Sequence, residues 1–169
     1  VDVDLELTAG YHTVVVEYFQ APGQSRVDVT WVKVATTACG TATTGSWLGQ
    51  YYANATLSGS PAMCRNDSTI DFDWGSGSPQ AGTIPADRFS VRWTRVYEIS
   101  SGGTYRLRAG SDDGVRVYVD GVLVIDYWRD RSYGESEAEA YISAGRHTVV
   151  FEFYENGGLA EATIRIDRR

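Results

Sequence analysis

Two adjacent carboxylates, Asp112 and Asp113, stand between Ser111 and Gly114 and between two apolar runs. Carboxylate oxygens are hard donors that suit a hard cation, but neighbouring side chains of an extended strand point to opposite faces. The pair can share an ion only if the backbone turns between them, which the small flanking residues permit. Read in isolation, Asp-Asp-Gly between two strands is commonly only a turn. Other reactive residue types are sparse. His12 and His147 each follow an Ala-Gly turn at the start of an apolar run, and no Ser or Cys nucleophile beside either is suggested by the sequence. Two His with two distant Cys do not have the spacing of a zinc site, so both histidines are expected to be structural. Carboxylates that hydrolyse a glycoside meet only in three dimensions. Glu152, which repeats as Glu17, has the pattern of an outward polar position. Cys39 and Cys64 are expected to form a disulfide, as an even pair in an exported protein usually does; the alternative is two buried thiols.

The scaffold for these residues reads as all-β. Eighteen Gly, eleven Tyr, five Trp and five Phe, against a single Met, favour pleated, half-buried surfaces over helices. Alternation at the strand period predicts strands over Thr104–Ala109, Val115–Asp120, Val122–Asp126 and His147–Tyr154. Asp120-Gly121 joins two of them directly, a pair that tolerates the positive φ angles of a tight hairpin. Ser132–Ala140, rich in Ser, Glu and Ala, is expected to be a solvated loop, with a short helical turn as the alternative. Trp31, Trp47, Trp74 and Trp93 are expected in the core or at strand edges, and Trp128 in a structural role rather than stacked on a ligand. A chain of 169 residues can bury a full core without a metal or a dense disulfide frame. Its net charge of −7 disfavours nucleic acid as a partner, because phosphate binding runs on Lys and Arg. No apolar run approaches the roughly 18 residues of a spanning helix, so no membrane span is expected.

An internal repeat organises the chain. Leu7–Val16 reads LTAGYHTVVV and Ile142–Phe151 reads ISAGRHTVVF, at an ungapped offset of 135 residues. The match continues through Glu17 with Glu152 and sets Val27–Val34 opposite Ala162–Arg169. Two strands are copied, which suggests an array of similar domains. Residues 1–34 are then the closing β-hairpin of a preceding repeat, 35–46 a small, polar linker, and 47–167 a complete domain. An isolated hairpin is marginal in water, so the N-terminal one is expected to dock on a sheet or to exchange with a neighbouring molecule.

Several motifs of the complete domain carry a resemblance. They are WLGQYY from Trp47, IDFDWGSGSP from Ile70, FSVRWT from Phe89, SDDGVRVYVDG from Ser111 and LVIDYW from Leu123. In this order they resemble the PA14 family, named after the fourteen-kilodalton N-terminal part of anthrax protective antigen. The resemblance implies an antiparallel β-sandwich. It also implies, from the lectin branch, that Asp112 and Asp113 are joined by a cis peptide and hold Ca2+. A second loop, Glu155-Asn156-Gly157-Gly158-Leu159-Ala160, would complete the site. In that reading Asp112, Asp113, Asn156 and Gly158 serve the metal. Glu155, Gly157, Leu159 and Ala160 line the ligand position, with the loop free to vary on a fixed scaffold. The expected function is a non-catalytic, calcium-dependent carbohydrate-binding module of a larger secreted or cell-surface protein, such as an adhesin, with a glycan or polysaccharide as partner. A ligand-free spacer and an accessory domain of a glycoside hydrolase are the alternatives.

Overall fold

The computed structural model describes residues 12–31 and 39–169. It divides into two units, Val1–Thr36 and Thr37–Arg169. In the first, no strand is assigned among residues 12–31. A bend falls at Pro22-Gly23, where Gly23 has φ +139° and its carbonyl accepts from Gln20 Nε2 at 2.6 Å. Val14, Val16, Tyr18, Val27 and Val29 are exposed, as is Trp31 at 77%, unlike the core or edge position expected for it. The remaining residues of the expected N-terminal hairpin lie outside the described residues.

The second unit is all-β and antiparallel, as expected. Its strands are β1 (Trp47–Tyr52), β2 (Met63–Asp67), β3 (Asp71–Gly75), β4 (Phe89–Ile99), β5 (Gly103–Asp112), β6 (Gly114–Val119), β7 (Val122–Tyr127), β8 (Gly134–Ile142), β9 (Gly145–Glu155) and β10 (Ala160–Arg168). They form a six-stranded sheet ordered β2-β1-β4-β9-β6-β7 and a four-stranded sheet ordered β3-β10-β5-β8. Alternation sends one face of each strand inward: Phe89, Val91 and Trp93 from β4, Leu107 and Ala109 from β5, Val149, Phe151 and Phe153 from β9. Trp93 sits at the centre, edge-on to Tyr51 at 5.7 Å and stacked with Phe72 at 5.8 Å.

The four alternating runs are strands, and Asp120-Gly121 is the hairpin turn between β6 and β7, with φ +50° and +80°. Of Ser132–Ala140, expected as loop or helical turn, all but Ser132 and Tyr133 belong to edge strand β8, Gly134–Ile142, which pairs along its length with β5. Its alternation escapes notice because the half-buried positions Ser136, Ala138 and Ala140 are small, while Glu135, Glu137 and Glu139 face solvent. His147 ties two turns together. Its Nδ1 lies 2.6 Å from Asp120 Oδ2 and its Nε2 lies 3.2 Å from Ser143 Oγ, so a serine does stand beside it, four residues upstream. The Asp120 carboxyl is held below its usual range by the His147 hydrogen bond.

Two buried carboxylates of the six-stranded sheet are matched. Asp67 is buried and accepts from the Tyr51 hydroxyl at 2.6 Å, Trp93 Nε1 at 2.8 Å and Arg65 Nε at 2.6 Å. Burial and this carboxylate push the Tyr51 hydroxyl far above its ordinary pKa. Glu152 faces the outer side of the six-stranded sheet, yet Arg92 and Arg116, each at 2.7 Å, cover it to 5% exposure. Trp128 packs against Tyr154 at 4.6 Å and under the Arg116 guanidinium at 3.9 Å, which fills its faces with protein. Residues 39–46 run against β4: Val96 N donates to the Thr43 carbonyl and the Arg95 guanidinium to that of Thr44. Cys39 and Cys64 are joined as a disulfide, with Cα atoms 5.5 Å apart.

Two stability outcomes follow. Replacing Asp67 by Ala strands the Tyr51 and Trp93 donors in the core and should cost roughly 3 kcal/mol in denaturant unfolding, with the Tyr51→Phe, Asp67→Ala pair costing less than the separate losses summed. Cys39→Ser opens a closed loop and should lower stability by about 3 kcal/mol in the chain-entropy account, matched by wild type under reductant.

Candidate functional site

One end of the sandwich gathers the acidic residues. The site begins where β5 runs into β6 at Asp112-Asp113, whose peptide bond is cis. Ser111 Oγ donates to the Asp113 carbonyl at 2.7 Å, closing the link from one side. Gly114 leaves the space that the Tyr154 ring occupies; a methyl group there would overlap the ring. Continuing the inward alternation of β9 past Val149, Phe151 and Phe153 brings Glu155 to the same place. Carboxylate oxygens of Asp112, Asp113 and Glu155 lie within 4.8 Å of one another.

Backbone amides hold the two aspartates. Asp113 Oδ1 accepts from Arg131 N at 3.0 Å and Oδ2 from Asn156 N at 2.8 Å, and Asp112 Oδ2 accepts from Tyr133 N at 3.1 Å. The segment between β7 and β8 therefore grips the pair from one side and the β9–β10 loop from the other. Asp130 clasps these two loops: it accepts from the Tyr154 hydroxyl at 2.6 Å and from Asn156 Nδ2 at 3.0 Å. Arg131 is turned beneath its loop, with Nη2 donating to Ser111 Oγ at 2.8 Å and the guanidinium 4.0 Å from the Tyr127 ring.

Glu155 differs from its neighbours. It is 0% exposed, and no well-formed hydrogen bond reaches either carboxylate oxygen among the described residues; the Gly157 amide acts on it only weakly, pulling its pKa down against larger effects that raise it. Burial first, then the charges of Asp113, Asp112 and Asp87, push its pKa up to about 8. Asp112 is also raised, by burial and by Asp113. Three converging carboxylates are an all-oxygen donor set, which suits a hard divalent cation and not the softer metals that take thiolate or imidazole. A cation there would supply the partner that Glu155 lacks.

Above the aspartates lies an open cleft of about 680 Å³ lined by Asp112, Asp113, Asp130, Arg131, Ser132, Tyr133, Gly157, Gly158, Leu159 and Glu161. Gly157 and Gly158 face open space, and Leu159 is 55% exposed at the rim. Asn156 spends its amide hydrogens on Asp113 and Asp130, while Gly158 N reaches Asp87 Oδ1 at 3.3 Å. Ala160 opens β10 with its side chain buried in the core, so it can meet a ligand only through its backbone. Sequence reasoning did not single out Asp87, Asp130, Arg131, Tyr133 or Glu161. Strand parity was the available signal for the β7–β8 loop: Val115 pairs with Tyr127, so the chain leaving β7 must emerge beside Asp113.

A family model described as PA14 domain matches residues 42–166. Anti-sigma-I factor RsgI3 of Acetivibrio thermocellus is 42% identical over 123 residues, which cover 72% of this chain and 19% of that protein. This chain therefore spans about a fifth of the length of that curated relative. A solved anti-sigma factor domain-containing protein superposes with TM-score 0.68 at 38% identity, over 73% of this chain and 43% of the other. The PA14 sugar-binding domain from an RTX adhesin superposes with TM-score 0.64 at 22% identity, over 74% of this chain and 90% of the other, a likeness of fold. By the family match and the fold together, the chain belongs to the PA14 domain family.

Proposed function

We propose that this domain is a non-catalytic, calcium-dependent carbohydrate-binding module that acts outside the cell as part of a larger protein. The observation that carries the reading is the buried, unpartnered Glu155 carboxylate, set with Asp112 and Asp113 within 4.8 Å. At neutral pH the metal-free site keeps its three carboxyl groups together by holding Glu155 protonated, and a calcium ion would take the place of that proton as counter-charge. When bound, calcium offers its remaining coordination positions to neutral oxygen donors such as the vicinal hydroxyls of a sugar. The aspartates hold the ion side, and the β9–β10 loop with Gly157, Gly158 and Leu159 shapes the sugar side.

The likeness to two proteins named as anti-sigma factors favours a sensing use of that binding, in which a regulatory protein reports a sugar, over an adhesive one. A ligand-free spacer is the competing reading. The repeat supports a preceding domain of the same kind in the parent protein: Gly23 and Gly158 correspond in the two copies and share a positive φ, +139° and +116°. In that copy Gln20 replaces Glu155, so the two sites would differ in charge.

A glycan array read with calcium and with chelator tests the reading. Wild type should bind only with calcium, and Asp112→Asn should lower calcium affinity by on the order of 10-fold or more, as a loss of ligand charge requires. Glycan signal that persists unchanged in chelator overturns the ion-bridged mechanism, and a domain that binds neither calcium nor any glycan is a spacer.

Proton linkage gives a second outcome. Glu155 is raised on folding, so between pH 4.5 and about 8 the folded state holds more protons than the unfolded one. Stability of the metal-free domain should therefore fall as pH rises through that window, and Asp112 adds in the same direction. Thermal unfolding with chelator should show this slope, Glu155→Gln should flatten it, and saturating calcium should flatten it in wild type.

A further inference from the structure

Away from the cleft, the outer face of the four-stranded sheet sets arginines among its acids. Arg106 pairs with Glu139 at 3.5 Å, and Arg108 with Asp167 at 2.8 Å. At the cleft end the pattern stops. Glu161 on β10 stands directly opposite Asp112 on β5 and, on its other side, opposite Asp73 on β3. Like charges set directly opposite across strands are destabilising, and no ion pair relieves Asp73 or Glu161 among the described residues. Burial, Asp73 and Asp112 together raise the Glu161 pKa. Asp113 and Asp130 line the cleft as well, and Asp87 accepts from the Gly158 amide beside it. The one basic side chain in the lining, Arg131, is spent on Ser111, Ser136 and the Tyr127 ring. Asp112, Asp113, Asp130, Glu161 and the adjoining Glu155 bring five negative charges against one positive charge on Arg131 and two on a divalent cation, so the cleft stays negative when loaded.

We infer that the acidic row Asp73–Glu161–Asp112 makes this site a filter for uncharged sugars, one that accepts neutral hexosides and rejects their uronic acid counterparts. The inference rests on the calcium-dependent sugar reading above and names the substrate class of the same site. A neutral sugar meets the row as hydroxyl donors, whose protons the carboxylates accept. A uronate brings a carboxylate that the row repels across a few ångströms of partly excluded water. Glu155, buried and unpartnered, is the independent sign that the acidic cluster is built for a ligand and is not merely a solvated edge.

The test uses pairs that differ only by oxidation at C6, such as methyl galactoside with methyl galacturonoside and methyl glucoside with methyl glucuronoside. Binding to the full chain is measured by calorimetry or ligand-detected NMR at saturating calcium. Wild type should prefer the neutral member of a pair that binds, and the preference should shrink as salt rises. Removing one charge by Glu161→Gln should narrow the neutral-to-uronate ratio by roughly 3-fold, the size expected for one unit charge several ångströms away in a wet cleft. Asp73→Asn should narrow it in the same sense. Equal or tighter uronate binding by wild type, or a ratio that both substitutions leave unchanged, overturns the filter and leaves calcium-dependent sugar binding standing. Absence of calcium-dependent binding to either member of every pair overturns the underlying reading as well, and so separates the two failures.

Discussion

Three carboxylates that repel one another meet at one end of this sandwich, two of them held by backbone amides, and the local architecture is organised around that constraint. The amides of Arg131, Tyr133 and Asn156 each donate to an aspartate oxygen, so two loops from different parts of the chain are fixed by the acids they surround. Asp130 then ties the loops to each other through Tyr154 and Asn156. Hydrogen bonds to charged acceptors are the stronger kind, which is how polar loops become rigid without a core of their own. Glu155 has no such support, and its carboxylate is the point at which the frame is incomplete.

The rest of the fold makes that end rigid. Strands β5, β6 and β9 meet at the acidic end, where Asp113 and Glu155 extend the inward alternation that buries Val117, Phe151 and Phe153, while Asp112 falls on the face of β5 that pairs with Glu161. A site whose residues sit at the ends of long central strands inherits the precision of the sheets. The loops above it carry glycines and an exposed leucine, residues that can change without disturbing the strands beneath. Membership of one family is thus compatible with different ligands.

Much of the scaffold was legible because alternation is a local signal. Long strands with large inward residues, β5, β6, β7 and β9, and the Asp120-Gly121 turn declare themselves in short windows of sequence. Strand β8 did not, because Ser and Ala at its half-buried positions carry too little hydrophobic contrast to register a period of two. Ser143 beside His147 was equally hidden: four residues apart, they meet only because a tight turn folds the β8 end onto the β9 start. Asp112 and Asp113 could be named from their flanking motif, and Glu155 from the loop that the resemblance supplied. The burial of Glu155 and the way Ala160 turns its side chain into the core were not visible.

By itself the sequence determined the strand periods, the acidic dipeptide, the copied hairpin motif and an overall negative charge, all properties of neighbouring residues or of composition. Only the tertiary structure decided that Glu155 closes on Asp112 and Asp113, that Asp130 bridges two loops, and that Asp73 and Glu161 extend the acidic row. These groups lie on different strands, and their separation is set by sheet register and by the packing of one sheet on the other. Electrostatic energy depends on that distance and on burial, neither of which any single stretch of chain contains.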